Sequence, residues 1–338
     1  MSDQSAVGII IPCYQEETYI ADCIQSCLNQ ETNAIIEIII VDGGSTDKSI
    51  ELIKQLQSTH PEKVVLLHNL KKTTPISLNI GLQYSTASFK MILGAHSILP
   101  KNYISQCLAA FEAQPTADCV GGKIENHYLN PVAEDIGFAM SSSFGVGNAL
   151  FRTGGKAQWV DTVAFGMYKQ SVFEKIGWFN EDLIRNQDDE FNFRLTQAGL
   201  KIWFDPNLVS NYYVRSSYRK LWNQYFQYGY WKVYVNKLHS QITTARQLVP
   251  AALIAYIAVL PFCLLCSQLI AVMCIAPIIL YFLVASYLSI KQNRHRFLSI
   301  GFVFLILHFS YGLGYWKGIL QLLLLNQQPT SAHAQHNR

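Results

Sequence analysis

The sequence predicts an α/β protein whose mostly parallel, Rossmann-like sheet is followed by helices that cross a membrane. Two apolar runs, at 7–11 and 35–41, are continuous or broken only by Glu37, which is typical of strands covered on both faces. A helical pattern lies between them, so we expect a crossover connection and parallel strands. Further along, residues 248–290 contain no charged side chain, and this length suits about two membrane helices of ~20 residues each.

Each element of the predicted sheet follows from the spacing of its apolar residues. After the first strand come a helix, a strand, a helix, a strand and a later short strand at 18–28, 35–41, 49–56, 64–67 and 91–93. Right-handed crossovers then give a doubly wound sheet, in which ligands bind beyond the carboxyl ends of the strands. The polar loops at 12–17 and 42–47 stand at two such ends. We therefore expect these loops to form a ligand site.

Charge is unevenly distributed along the chain. Residues 1–205 carry a net charge of −8, and the remainder, which has no Asp or Glu, carries +11, for a total of +3. A basic, apolar C-terminal part predicts a membrane anchor that faces anionic lipid. A third apolar run extends from 297 to about 325, and the basic "KQNRHR" (291–296) precedes it. The positive-inside rule places that basic loop in the cytoplasm, and the N-terminus shows no export signal.

These patterns divide the chain into four predicted parts. They are an α/β domain at 1–215, an interfacial helix region at 216–246, a membrane domain of about three transmembrane helices at 247–326 and a disordered tail at 327–338. The interfacial region mixes aromatic and basic residues, which favour the headgroup zone of a bilayer. A helix packed in a soluble domain is the alternative. Because the basic clusters lie beside the membrane helices, we expect no nucleic-acid partner.

Asp42 directly follows the second strand and is the first candidate binding residue. Its carboxylate would accept hydrogen bonds from a base N–H or from ribose hydroxyls, and Gly43 and Gly44 let a ligand approach the backbone closely. Ser45 and Asp47 would either contact the ligand or cap the next helix, and the sequence leaves both roles open. The loop after the first strand has no glycine, which argues against a G-x-G-x-x-G dinucleotide site, and no Walker loop is present.

Six stretches of the chain carry a recognisable pattern. They are "IIIPCYQEETYIADCIQSCLNQ", "EIIIVDGGSTDKSIELI", "TPISLNIGL" (74–82), "VGGKI" (120–124), "WVDTVAFGMYKQSVFEKIGWFNEDLIRNQDDEFNFRL" (159–195) and "SSYRKLWNQYFQYGYWK" (216–232). Together they resemble a glycosyltransferase of family 2 with the GT-A fold, over nearly all of residues 7–232. Within that family the chain resembles bacterial glycosyltransferases of the succinoglycan exopolysaccharide type.

The resemblance implies a pocket for a nucleotide-sugar donor, with a UDP-sugar expected. The residues that would line this pocket are Pro12, Tyr14, Glu16, Asp42, Ser77, Asn79, Gly94 and Ala95. Among them, Ser77 and Asn79 would approach the ribose or the diphosphate. The resemblance also implies a multi-pass protein of the bacterial inner membrane, with the catalytic domain in the cytoplasm.

The acidic cluster in "RNQDDEFNFRL" (185–195) supplies the candidate catalytic group. Asp188 would begin a helix, where the helix dipole favours an anion. The family pattern has Glu-Asp at this place, so Asp188 matches the general base and Gln187 replaces the Glu. A carboxylate is needed because an acceptor hydroxyl is too weakly acidic to attack an anomeric carbon unaided. The resemblance implies a single displacement with inversion, which requires only this one base.

The strand end at Gly94 departs from the family pattern. GT-A enzymes usually have Asp-x-Asp here and the succinoglycan type Asp-Ala-His, whereas this chain has Gly94 and His96 in those places. In one interpretation, Mg²⁺ or Mn²⁺ binds mainly to the diphosphate and His96 completes the site. In a second, no metal binds and Lys71, Lys72 or Arg152 holds the diphosphate. In a third, the protein has lost activity.

The acceptor is the remaining partner to be predicted. Processive synthases carry Q-x-x-R-W, but residues 224–228 read "QYFQY", which favours transfer of a single sugar. The acceptor would be a lipid-linked glycan on a polyprenyl diphosphate, bordered by Asp161, Arg152 and Gln187. A nucleotidyltransferase is a rival enzyme class, although the acidic loop at 12–17 argues against it. A catalytically impaired sugar-nucleotide-binding or scaffold subunit is the non-enzyme alternative.

Overall fold

Nine strands form one mixed sheet within the part of the chain that the computed structural model describes, residues 5–214, 216–265 and 267–329. The strands are β1 Ala6–Cys13, β2 Ile35–Asp42, β3 Val64–His68, β4 Phe89–Ile92, β5 Ser97–Ile98, β6 Cys119–His127, β7 Gln158–Val160, β8 Ala164–Lys169 and β9 Ile202–Tyr213. Their order is β3-β2-β1-β4-β8-β6-β9-β5, with β7 also paired to β9. The last residues of the predicted disordered tail, 330–338, lie outside the described residues.

The first four strands in this order are parallel, and their register aligns the ends that carry the candidate site. Cys13 pairs with Asp42, and Asp42 pairs with His68, so the loops after β1, β2 and β3 leave the sheet at one edge. Beyond them β8 is antiparallel to both β4 and β6, whereas β9 is parallel to β6. The predicted α/β class with a mostly parallel sheet is confirmed.

The helices of the described residues are α1 Ile20–Leu28, α2 Ser49–Thr59, α3 Thr74–Tyr84, α4 Tyr103–Ala113, α5 Pro131–Ser141, α6 Ser143–Val146, α7 Leu150–Thr153, α8 Gln170–Ile176, α9 Gln187–Gln197, α10 Tyr218–Leu238, α11 Val249–Leu264, α12 Gln268–Gln292 and α13 Phe297–Gly318, which continues as a π-helical stretch, Ile319–Leu324. Two buried clusters show that helices cover both faces of the sheet. Alternate residues of β1 face opposite cores, since Ile9 and Ile11 join the cluster with α1 and α4, whereas Ile10 joins the cluster with α3 and α9. This explains why the run is continuously apolar.

The described residues form two compact units. One contains the sheet with α1–α4 and α7–α9, and the other contains α5, α6 and α10–α13. The segment 128–148, which carries α5 and α6, thus leaves the sheet unit and joins the C-terminal helices. No pattern in the sequence indicated this exchange. The predicted boundaries at 215, 246 and 326 stay predictions.

Three helical stretches of the second unit are long and apolar enough to cross a membrane. They are Ala245–Cys263, Gln268–Gln292 and Phe297–Leu324. Only 6% of the first and 6% of the second are buried within the protein, but 50% of the third is buried. By length and composition the C-terminal helices therefore suit a membrane, and the third differs from the other two in its packing.

Candidate active site

The loops that follow β1 and β2 are joined through the side chain of Gln15. Its Oε1 accepts hydrogen bonds from the backbone N–H groups of Thr46 (2.9 Å) and Asp47 (3.2 Å), and its Nε2 donates to Thr46 Oγ1 (3.0 Å). The Gln15 N–H donates in turn to Ser45 Oγ at 2.9 Å. Gln15 has a φ of 57°, in the left-handed region that side chains other than glycine rarely occupy. These four bonds fix the conformation of both loops.

A second row of hydrogen bonds continues the connection toward α2. Glu16 N–H donates to Ser49 Oγ (2.8 Å), Glu17 N–H to Asp47 Oδ2 (3.1 Å), and Lys48 N–H to Glu17 Oε2 (3.0 Å). Partial burial alone would raise the pKa of Asp47, but the bonds from Ser49 and Glu17 outweigh it and lower that pKa. Ser45 and Asp47 thus hold the two loops together, a role that the sequence did not predict, and Asp47 Oδ1 also accepts from the Ser49 N–H at the start of α2 (3.1 Å).

Asp42 is the last residue of β2, directly before the second of these two loops. Its side chain is fully buried, and its Oδ2 accepts from the N–H groups of Gly44 (2.7 Å) and Ser45 (3.1 Å). Gly44 has a φ of 81°, and a Cβ at this position would lie 3.4 Å from Cε of Lys72. Tyr14 is half-buried beside the same turn. The carboxylate of Asp42 is therefore closed to solvent in this structure, and backbone N–H groups hold its oxygens.

Three of the predicted site residues meet at the end of β4. The carboxylate Oε1 of Glu16, which is 4% exposed, lies 3.3 Å from Nδ1 of His96. The His96 ring packs edge-on against Tyr212, with centroids 4.9 Å apart, and the Arg152 guanidinium lies 5.1 Å from the Tyr212 centroid on the side that borders Asn126. The predicted donor-side Glu16, metal-side His96 and acceptor-side Arg152 thus form one polar cluster. Tyr212 was not among the predicted site residues, because β9, which carries it, was not predicted from the sequence.

Gly94 does not leave an open space where the family has an aspartate. A Cβ at this position would lie 3.3 Å from Cε1 of Phe165 and 3.3 Å from Oγ of Ser97. Phe165 has a φ of 48°, an unfavourable conformation for an aromatic residue. Ser97 is fully buried, and its hydroxyl has no hydrogen-bond partner among the described residues. Ala95 is buried in the core cluster and its side chain is a methyl group, so it can offer a ligand only its backbone.

A divalent ion at this strand end would be held by few protein ligands. Searching the described residues gives no group of three or more His, Cys, Asp or Glu side chains that could hold a metal ion. Glu16 and His96 offer one oxygen and one nitrogen at the same point. Such a pair fits Mn²⁺, which accepts imidazole, better than Mg²⁺. The donor's diphosphate would have to supply the other ligands.

Ser77 and Asn79 lie on α3 and face the protein interior. Ser77 Oγ accepts from Asn69 Nδ2 at 2.9 Å. Asn79 Nδ2 donates to the Phe179 carbonyl (2.9 Å) and to Glu181 (3.1 Å), and its Oδ1 accepts from Phe179 N–H (3.0 Å). These bonds connect the loop after β3 with the loop that precedes α9. The contacts of Ser77 and Asn79 with a donor stay predictions.

Helix α9 begins at Gln187, as the acidic cluster predicted, and presents Asp188 at an exposed position in its first turn. The third acidic residue, Glu190, is instead buried, and its Oε1 lies 2.7 Å from Nε of Arg194. Arg194 also donates to the Trp178 carbonyl at 2.8 Å. The buried ion pair therefore fixes α9 to the preceding loop, which sets where Asp188 stands.

The segment from Asp161 to Phe165 connects α9 with the end of β4. The Oγ1 of Thr162, next to the exposed Asp161, accepts from Nδ2 of Asn192 at 3.0 Å, and Asn192 lies one turn after Asp188. Three residues later Phe165 packs against Gly94, and three residues span at most ~11 Å. The exposed Asp161, the first turn of α9 and the His96 cluster therefore lie in one neighbourhood.

The pKa of Tyr168 depends on burial as well as on the charge of the nearby Asp188. Burial raises the pKa of its phenol well above the usual value, and the nearby thiol of Cys119 and the carboxylate of Asp188 raise it further. Its hydroxyl donates to Asn192 Oδ1 at 3.2 Å. A neutral Tyr168 thus supports α9 from the sheet side.

Comparison with known proteins gives consistent matches. The family model described as "Glycosyl transferase family 2" matches residues 8–177. The chain is 25% identical to the succinoglycan biosynthesis protein ExoA of Rhizobium meliloti (strain 1021), over 92% of this chain and 94% of that protein. It is 33% identical, over 66% of this chain and 71% of the relative, to the dolichyl N-acetyl-alpha-D-glucosaminyl phosphate 3-beta-D-2,3-diacetamido-2,3-dideoxy-beta-D-glucuronosyltransferase of Methanococcus voltae.

A solved structure has a similar fold. The mannosyltransferase PcManGT from Pyrobaculum calidifontis, solved with GDP-Man and Mn²⁺, matches with a TM-score of 0.62 at 17% identity, over 92% of this chain and 88% of that one. This likeness confirms the predicted GT-A fold. The family match and the curated relatives confirm the predicted resemblance to succinoglycan-type enzymes. The chain belongs to glycosyl transferase family 2.

Proposed function

We propose that the protein is a membrane-anchored inverting glycosyltransferase that transfers one sugar from a nucleotide-sugar, preferably a UDP-sugar, to a lipid-linked glycan. The observation that carries the proposal is the position of a carboxylate, Asp188, in the first turn of α9, near a strand-end cluster that contains Glu16, His96 and Arg152. The relatives' names support the acceptor class, since one concerns succinoglycan and another a dolichyl-phosphate-linked sugar. A polyprenyl-diphosphate-linked glycan in exopolysaccharide or surface polysaccharide synthesis fits both.

In the proposed reaction, Asp188 accepts the proton of the acceptor hydroxyl as its oxygen bonds to the anomeric carbon. The bond from that carbon to the nucleotide diphosphate breaks, and its electron pair leaves on a diphosphate oxygen. Displacement from the opposite face inverts the anomeric configuration. Asp161, Arg152 and Gln187 would border the acceptor hydroxyl, and Asp42 and Tyr14 would hold the nucleoside.

The departing diphosphate gains negative charge, which needs a cation nearby. Arg152 supplies one positive charge at the strand end, and Lys72 lies over the Asp42 turn. Glu16 and His96 would hold Mn²⁺ or Mg²⁺ together with the donor's own oxygens, and the bound ion would act there as a Lewis acid. The solved relative with GDP-Man and Mn²⁺ supports this.

We place the protein in a bacterial inner membrane, with the sheet unit in the cytoplasm. The apolar C-terminal helices and the basic loop at 291–296 support this location. Nucleotide-sugars are made in the cytoplasm, so a cytoplasmic sheet unit would meet its donor there.

The test begins with the full-length protein purified in detergent. Calorimetric titration with UDP-, GDP- and dTDP-sugars, with and without Mn²⁺, identifies the donor, and release of the nucleoside diphosphate measures turnover. Asp188→Asn should lower turnover by about 10²–10⁴-fold, the usual contribution of a general base, and leave donor affinity within a few-fold. Asp189→Asn removes the same charge from the same helix turn and should leave turnover nearly unchanged.

Three results would change this conclusion. Equal turnover in Asp188→Asn and the unmodified protein would remove Asp188 as the base. Tight donor binding without turnover under any condition would favour the alternative, a catalytically impaired sugar-nucleotide-binding or scaffold subunit, for which the replaced residue at Gly94 is the motivating observation. Binding of no nucleotide-sugar at all would contradict both.

A further inference from the structure

Helix α13 packs along the whole length of α10. At the beginning of both helices the hydroxyls of Tyr218 and Ser299 lie 2.6 Å apart. At the end of α10, Lys237 Nζ donates at 2.7 Å to the carbonyl of Leu322, which lies in the π-helical stretch that continues α13. The contacts advance together along both helices, so α10 and α13 run side by side in the same direction. At ~1.5 Å per residue the shared length is roughly 28 Å.

Glycines bring the two backbones together in the middle of this contact. A Cβ on Gly229 of α10 would collide with the carbonyl of Tyr311, and a Cβ on Gly314 of α13 would collide with the carbonyl of Phe226. Small residues that allow such close approach are typical of tightly packed helix pairs. Because the two helices are joined at both ends and in the middle, they must share one orientation relative to a membrane.

Helix α10 is too polar to cross a bilayer. It carries Arg219, Lys220, Lys232 and Lys237, and its amides include the buried Gln224. A single Lys or Arg costs about 2.5–3.5 kcal/mol at the centre of a membrane helix. A helix with basic residues at both ends and aromatic residues between them suits the membrane surface instead. An α10 that lies along the surface requires an α13 that also lies along the surface.

The contacts of α13 with α11 and α12 also favour a helix that lies along the membrane surface. Helices α11 and α12 form a hairpin, in which the Tyr256 hydroxyl donates to the Cys274 carbonyl at 2.8 Å. Trp316 of α13 donates to the carbonyl of Ala251, at the beginning of α11, at 2.8 Å. Helix α13 meets α12 in its second half, where the Tyr281 hydroxyl lies 2.8 Å from Nδ1 of His308. Between these two contacts α13 passes across the open end of the hairpin.

The hairpin and α13 differ in how their apolar side chains are exposed. At the tip of the hairpin Leu265 is 85% exposed and Leu269 71% exposed, as expected of side chains that face lipid. On α13 the exposed large apolar residues recur every three, four or eleven positions and therefore form one narrow stripe, at Leu298, Phe302, Leu313 and Trp316. The protein itself covers the rest of this apolar helix, so only the stripe is left to contact lipid.

Ionic contacts attach the start of α13 to α5 in the same unit. Arg296 Nη2 lies 2.7 Å from Glu134, and Arg296 Nη1 donates to the Pro131 carbonyl at 3.0 Å. Ser299 donates to the buried Asp135. Such a set of ion pairs suits the water-facing side of a membrane surface and not the hydrocarbon interior.

We propose that α13 does not cross the membrane but lies along its surface with α10, its apolar stripe facing lipid, and that the α11–α12 hairpin alone crosses. Length and composition would allow α13 to cross, and the sequence analysis predicted that it does. The packing of α13 on a polar partner is the observation that the sequence could not supply. The proposal does not depend on glycosyl transfer, since its partner is the lipid bilayer itself.

The two topologies differ in where the C-terminus lies. With three crossings, the N- and C-termini lie on opposite sides of the membrane, whereas with the hairpin alone they lie on the same side. The full-length chain is tagged with an epitope at the N-terminus in one form and after Arg338 in another. Protease is then added to sealed spheroplasts or to inside-out vesicles. Both tags should be cleaved only in inside-out vesicles, and cleavage of the C-terminal tag in spheroplasts overturns the proposal.

A depth measurement provides a second readout that does not rely on tags. Nitroxide labels are placed by Leu298→Cys, Leu313→Cys and Leu320→Cys, in protein whose membrane cysteines are replaced by serine and which is reconstituted in vesicles. For a surface helix the three labels should have the same immersion depth. For a crossing helix the depth should change steadily, by up to ~30 Å over these 22 positions, and that result contradicts the proposal.

Discussion

The loops after β1 and β2 and the loop after β4 lie at the same edge of the sheet but are held very differently. The first two are joined by hydrogen bonds from Gln15, Glu16, Glu17 and Lys48, which fix both backbones. The loop after β4 is held by ring packing of His96 on Tyr212 and of Phe165 on Gly94, and by backbone hydrogen bonds from Ser97 N–H to the Gly94 carbonyl (3.0 Å) and from Tyr213 N–H to the His96 carbonyl (3.3 Å).

We therefore expect the two halves of the proposed donor site, one next to Asp42 and one next to His96, to have different roles. The half next to Asp42 is rigid before a nucleoside arrives, so binding there costs little ordering of the loops. The half next to His96 has one cationic side chain, Arg152, and two potential metal-ligating side chains, Glu16 and His96. We expect changes in the first half to alter donor affinity and changes in the second half to alter turnover.

Among changes that compare the two halves of the donor site, the largest effect is expected from His96→Ala. If His96 serves the departing diphosphate, its loss should lower turnover by about 10–100-fold, or ~1.4–2.7 kcal/mol, and change the dissociation constant of the donor by less than about threefold. Turnover is followed by release of the nucleoside diphosphate, and affinity by calorimetry. His127→Ala is the matched control, because His127 also ends a strand but bonds to Asn211 at 2.9 Å.

Metal dependence separates the remaining interpretations of this residue. Turnover of the unmodified protein should fall in excess chelator and recover with Mn²⁺ if Glu16 and His96 hold an ion with the diphosphate. Equal turnover in chelator would leave Arg152 and Lys72 as the cations that meet the leaving group. A fall in donor affinity in His96→Ala that equals the fall in turnover would contradict the proposed difference between the two halves.

A smaller effect is expected from Gly94→Asp, which restores the family residue. Its Cβ would press on Phe165 and Ser97 at 3.3 Å, and overpacking of this kind costs about 1–3 kcal/mol. The thermal midpoint should therefore fall by several degrees without metal. Mn²⁺ should restore more of the loss than it does in the Gly94→Ala control, which has the Cβ but no carboxylate. If Gly94→Ala is as stable as the unmodified protein, Phe165 accommodates a side chain and the packing argument is wrong.

The sequence predicted the elements whose signal is local. The run at 7–11 is apolar because both sheet faces are covered, and Asp188 begins a helix because an acidic cluster precedes helical spacing. The pairing of Glu16 with His96 joins residues 80 positions apart, and no local pattern encodes it. Likewise, the contact of the Phe165 ring with Gly94 joins residues that are distant in the chain.

The hydrogen-bond partners of polar side chains also depend on residues that are distant in the chain. Gln15 and Asp47 stand in loops at strand ends, where a polar residue suggests a ligand, but their side chains bond to the opposite loop. Helix α13 has the composition of a membrane crossing, yet its partner α10 determines its orientation. In both cases the sequence correctly indicated a polar loop or an apolar helix. The role of each depended on the neighbour that the fold placed beside it.

The smallest effect is expected from Gln15→Ala, which tests the rigid half of the site. The substitution removes the three hydrogen bonds of the Gln15 side chain, each worth about 0.5–1.5 kcal/mol net and less where water competes. The loops should then be free before binding, so the dissociation constant for the nucleoside monophosphate of the preferred donor should rise about three- to tenfold. Turnover at saturating donor should stay the same. Gln25→Ala, which removes one exposed bond to Asn29, should change neither quantity. A fall in turnover at saturating donor with unchanged affinity would mean that the loops after β1 and β2 take part in the transfer step. Loops that only order the nucleoside act before the bond to the sugar breaks.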